Sequence, residues 1–100
     1  MIDIKESRNG DVLEIILTGR LDTNTAPQVE TVLKEDVKAI NKLIFDLSGI
    51  TYISSAGLRV VLVAHKLMAT TRGKFIVKNP SSFCKQVLEA TGMDGVLTIE

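Results

Sequence analysis

Two adjacent hydroxyls, Ser54 and Ser55, stand at the head of an apolar segment, YISSAGLRVVL, residues 52–62. Such a hydroxyl can be a nucleophile, a phosphate acceptor or a helix cap. The first use needs a base within hydrogen-bond reach and a third group to orient it. The only histidine, His65, lies ten residues beyond Ser55 on what reads as one helix. At about 1.5 Å of rise per residue it cannot touch that hydroxyl. No Gly-x-Ser-x-Gly elbow, GxGxxG loop or P-loop is present. Asp22 and Asp46 could meet at one edge and hold Mg²⁺, but two carboxylates are few ligands for such a cation. Turn and cap N–H groups are their expected partners, Asp46 with the Ser48-Gly49 turn. No catalytic residue, metal or cofactor is expected. Cys84 is the single cysteine, which excludes an internal disulfide and CxxC spacing. Its expected role is that of a small buried apolar residue.

The other two uses both belong to a helix start. Ser and Thr are favoured N-caps. A phosphate there would add roughly −1.5 to −2 charges and three acceptor oxygens. The N–H groups of Ala56, Gly57 and Leu58 and the positive end of the helix dipole would receive it. Gly57, lacking a Cβ, would leave the backbone open to bulky groups. Projecting residues 58–71 at the helical period sets Arg59, Lys66 and Thr70 on one narrow polar stripe. Leu58, Val60, Val61, Leu62, Ala64, Leu67, Met68 and Ala69 cover most of the rest, with Val63 beside the stripe. A helix lying on a sheet needs one apolar face, so this coat leaves either a docking surface or flanks for neighbouring helices.

The elements that position these serines are legible in the periodicities. IDIKE alternates Ile2 and Ile4 with polar residues, and DVLEIILTG is β-branched and apolar. Asn9-Gly10 between them suits a tight antiparallel hairpin. TNTAPQVETVLKEDVKAI shifts to a helical period through Val29, Val32, Leu33, Val37 and Ile40, with Thr25 and Gln28 fitting a capping box and Pro27 in the first turn. KLIFDL reads as a strand, SSAGLRVVLVAHKLMATTRG as a helix closed by Gly73, and KFIVK as a strand. SSFCKQVLEATG is a helix capped by Ser81, and GVLTIE a last strand. The order β β α β α β α β calls for an α/β fold with a mixed, mainly parallel sheet of four to five strands, opened by the antiparallel hairpin. The helices should pack mostly on one face. In such a sheet the loops after the strands gather at one edge. Those loops are Asp22-Thr23-Asn24, Ser48 to Ser55 and Asn79 to Ser82.

One hundred residues make one domain, residues 1–100, with 45% apolar residues to fill its core. Twelve basic and twelve acidic residues cancel, and only four residues are aromatic. Both facts argue against nucleic acid as a partner. The opening MIDIKESRNG lacks the apolar core of a secretory leader, and no apolar run reaches the ~20 residues of a membrane span. A cytoplasmic protein without a membrane partner is expected.

Two segments together carry a family resemblance. Gly19-Arg20-Leu21-Asp22 closes the second strand, and FDLSGITYISSAGLRVVLVAHKLM spans the third strand and second helix. Over essentially the whole chain the sequence resembles the STAS domain, specifically the bacterial anti-sigma factor antagonists. The resemblance implies that Ser55, two positions before the glycine, is phosphorylated by a serine kinase that is itself the anti-sigma factor. Ser54 is the alternative acceptor. Unphosphorylated, such a protein binds the kinase and frees a sigma factor; phosphorylation ends the binding, and a PP2C-type phosphatase restores it. Asp22, Thr23, Asn24, Ser54, Ala56, Gly57, Leu58 and Arg59 would form the partner-binding surface of a monomer or weak dimer. The chain departs from the family pattern at two places: Ser54 stands where Asp is frequent, and Ala56 where a second Ser is frequent. A different reading is a STAS subunit of a lipid or anion transport system, without phosphorylation.

Overall fold

In the computed structural model, residues 1–37 and 39–100 are described. Among them the chain runs β1 (Ile2–Asn9), β2 (Val12–Leu21), α1 (Ala26–Asp36), β3 (Lys42–Ile53), α2 (Ser55–Thr70), β4 (Lys74–Lys78), α3 (Ser82–Ala90) and β5 (Thr98–Ile99), with a single 3-10 turn at Met93–Gly95. The five strands form one sheet in chain order. β1 and β2 are antiparallel, and every later neighbour is parallel. The hairpin turns at Gly10-Asp11 rather than at the expected Asn9-Gly10: Asn9 is the last residue of β1 and pairs with Val12, and Gly10 supplies the positive φ of the turn, 65.

Alternation along the strands sorts the two faces. Leu13, Ile15 and Leu17 of β2, Leu43, Phe45 and Leu47 of β3, and Phe75 and Val77 of β4 are buried in one cluster. Val29 and Leu33 of α1, Val60, Val61, Ala64 and Met68 of α2, and Cys84 and Leu88 of α3 belong to the same cluster. All three helices therefore feed the same core. Phe45 and Phe75 meet edge-to-face at 5.0 Å in its middle. The intervening strand residues turn the other way, where Lys78 of β4 pairs with Glu14 of β2 at 3.3 Å.

Four further expectations change. β3 does not stop at Leu47 but continues to Ile53, following β2 through two register shifts. What reads as a loop from Ser48 is thus strand, and only Ser54 separates β3 from α2. α1 ends at Asp36, and Ile40 is buried from outside the helix; the helical expectation at Lys38 lies outside the described residues. α2 is closed not by glycine but by Arg72, at φ 60, while Gly73 N–H donates to the Met68 carbonyl at 2.8 Å. β5 is only two residues long.

Candidate functional site at the start of the second helix

Ser54 and Ser55 occupy different positions. Ser54 is the N-cap of α2: its backbone is extended and its Oγ accepts from the Gly57 N–H at 3.3 Å. Its own N–H donates to the Leu21 carbonyl at 3.0 Å, and its carbonyl accepts from Leu58 N–H at 2.9 Å. The residue is half-buried and spoken for at three atoms. Ser55 is the first helical residue and exposed, and its hydroxyl has no partner among the described residues.

Gly57 corrects an expectation. It is buried, and a Cβ there would lie 2.5 Å from the Leu21 carbonyl oxygen and 2.9 Å from side-chain carbons of Ile53 and Leu21. The missing side chain lets α2 press against the ends of β2 and β3, rather than opening the backbone to a visitor. Gly57 therefore presents no surface to a partner. Two of the three N–H groups expected to receive a phosphate, those of Gly57 and Leu58, are already bonded to Ser54.

The β2–α1 turn sits beside this helix start through the Ser54–Leu21 hydrogen bond. Within it, Asp22 Oδ1 accepts from the N–H groups of Asn24 at 3.0 Å and Thr25 at 3.1 Å. Burial pushes the Asp22 carboxyl up, but the hydrogen bonds from Thr25 and Asn24 together outweigh it and hold it below the ordinary aspartate value. The expected capping box is absent. Thr25 makes no side-chain bond into α1; its hydroxyl donates back to the Arg20 carbonyl at 2.8 Å and accepts from the Asp22 N–H at 2.9 Å. The hydroxyl ties the turn rather than the helix, because it lies buried beneath the strand end. Thr23 and Asn24 are exposed at the tip.

Asp46 behaves as its spacing predicts, accepting from the Ser48 N–H at 3.0 Å and the Ser48 hydroxyl at 2.7 Å. Asp22 is committed to the β2–α1 turn and Asp46 to Ser48 within β3, and among the described residues no group of three or more His, Cys, Asp and Glu could hold a metal. His65 is half-buried and lines a groove of about 460 Å³ with Met68, Gly73 and Phe75, at the far end of α2 from Ser55.

One cluster was missed. Arg20 lies 4.3 Å over the ring of Tyr52, and Tyr52 lies 5.5 Å from Phe83 at the start of α3. Arg20 also faces Asp22 at 3.6 Å. Arg20 and Tyr52 are neighbours across β2 and β3; with Tyr52 read as loop, no register linked them. The surplus apolar surface of α2 is also present in part. Val63 is 40% exposed and, with Leu67, borders a groove of about 420 Å³ against Leu33 and Val37.

Residues 3–100 match the sequence profile of the STAS domain. The chain is 31% identical to the anti-sigma-B factor antagonist of Listeria monocytogenes over 100 residues, covering 99% of this chain and 87% of that protein. Its fold is similar to that of the anti-sigma factor antagonist SpoIIAA in its unphosphorylated form, with TM-score 0.84 at 19% identity, over 98% of this chain and 88% of the other. The phosphorylated form of SpoIIAA, a Bacillus cell fate determinant, gives TM-score 0.69 at 18% identity over 98% of this chain and 91% of that one.

Proposed function

The chain belongs to the STAS domain family, and from that premise we infer that it is an anti-sigma factor antagonist switched by phosphate on Ser55. Unphosphorylated, it holds a serine kinase anti-sigma factor and so frees a sigma factor for transcription. The kinase ends that binding by phosphorylating Ser55, and a PP2C-type phosphatase restores it. The protein works in the cytoplasm, by binding rather than by catalysis. The likeness to the Listeria antagonist supports this reading over that of a transport-system subunit.

The observation that carries the reading is the contrast between the two hydroxyls. Ser54 is consumed as the cap of α2, while Ser55 is exposed at the first helical position, its hydroxyl free of partners among the described residues. An enzyme can reach the second without unwinding anything. The surface around it comprises Asp22, Thr23, Asn24, Ser54, Ala56, Leu58 and Arg59. An anion added in its middle repels or desolvates against a partner pressed there, and the fold beneath is left in place. Among the described residues no helix is long and apolar enough to cross a membrane.

The test is the affinity of the cognate serine kinase for wild type, Ser55→Ala and Ser55→Asp. Ser55→Ala should bind as wild type does and accept no phosphate. Ser55→Asp should bind at least about tenfold more weakly, a loss near 1.4 kcal/mol. Equal affinities for all three remove the switch. Phosphate that persists in Ser55→Ala and vanishes in Ser54→Ala moves the acceptor one residue back.

A further inference from the structure

We propose that Arg59 is the counter-ion built into the chain for phosphate on Ser55, so that phosphorylation adds an anion to the surface and withdraws a cation from it. This rests on Ser55 being the acceptor. The two residues are four apart on α2 and both exposed. Side chains at that spacing are neighbours on one helix face, about 5–6 Å apart at Cβ. Helical side chains also lean toward the N-terminus, so the guanidinium of Arg59 is carried over the Ser55 hydroxyl rather than away from it.

The surrounding charges single Arg59 out. Arg20, the cation at the end of β2, is engaged with Asp22 at 3.6 Å and with the Tyr52 ring at 4.3 Å. Asp22 is an anion and opposes a phosphate. Lys66 stands about three turns along the helix from Ser55, beyond reach. Arg59 has no ion pair or hydrogen bond among the described residues. A planar guanidinium also matches phosphate oxygens in a two-pronged way that an ammonium does not.

The consequence is a surface that changes twice in one modification. Before phosphorylation Arg59 faces water and is free for a carboxylate on the partner. Afterwards it is folded back onto its own helix. Partner contacts made by Arg59 are therefore lost along with those that the phosphate itself disrupts.

The experiment installs phosphoserine at position 55 by semisynthesis, so that no kinase is needed, and follows the phosphate by ³¹P NMR across pH. Arg59 favours the dianion. In the phosphorylated parent the second phosphate pKa should therefore lie about 0.15–0.4 unit below that of Arg59→Gln at low salt. Arg59→Lys should keep part of the shift, and about 1 M salt should erase most of it. Parent and Arg59→Gln titrating together at low salt would overturn the proposal. Failure of a kinase to modify Ser55 would instead strike the acceptor reading, and the NMR titration remains readable in that case.

Discussion

At the scale of single residues, two adjacent serines differ because one backbone position differs. Ser54 is extended and caps; Ser55 is helical, and its side chain is thrown outward. The pair was legible in the sequence as a helix start, but the assignment of cap and free hydroxyl needed the boundary to within one residue. The buried seat of Gly57 turns on a related point. A glycine at a helix start looks like access, and only the approach of Leu21 reveals a packing contact. Asp22 offers a measurable consequence of its turn. Its carboxyl is held below the ordinary aspartate value, so its contribution to stability is complete above the normal aspartate range and fades as acid protonates it. In Thr25→Val, which deletes the hydroxyl that reaches Asp22, the Asp22 pKa read by carboxyl NMR should rise toward the ordinary value. An unchanged or lower value would mean that the Thr25 hydroxyl does not stabilise the ionised carboxylate.

At the scale of elements, strong periodicities were read correctly and their ends were not. The antiparallel hairpin and the helix cap at Ser81 follow from local chemistry and stand in the structure, although the hairpin turns at Gly10-Asp11, one residue past the Asn-Gly pair. From sequence β3 reads as half its length, because Ser48-Gly49 has turn chemistry. In the fold that stretch makes a sheet irregularity, with Asp46 serving the Ser48 N–H. Val37 and Ile40 fit a helical period, yet they follow the last turn of α1. At the end of α2 the left-handed position falls on Arg72 rather than on the adjacent glycine. A left-handed L-residue is strained by about 1–2 kcal/mol, part of which glycine loses again through its freer unfolded chain. Arg72→Gly should therefore raise stability by about 0.5–1 kcal/mol in urea unfolding, since the arginine is exposed. A lowered midpoint would show that the side chain repays its strain elsewhere.

At the scale of the whole molecule, one cluster joins the helices to the sheet, and Cys84 reports on it from beneath α3. Burial pushes its thiol up, and the Ser81 hydrogen bond offsets only part of that. The thiolate is scarce at neutral pH and the sulfur is enclosed. Alkylation should be slow in the native protein and rise with urea along the global unfolding curve. Labelling at the rate of the denatured chain in buffer would contradict a closed core. The α/β class and the mixed sheet were accessible from the order of elements alone. The Arg20–Tyr52–Phe83 contact was not, since it joins three elements through a register that no local pattern encodes.

The close seat of Gly57 against Leu21 reaches further than packing. It clamps the Asp22 turn and the head of α2 into one bracket, whose two arms keep a fixed spacing. On the proposed reading, a partner that grips both arms would meet them at a separation fixed by that one packing contact, as the jaws of a caliper are fixed by their joint.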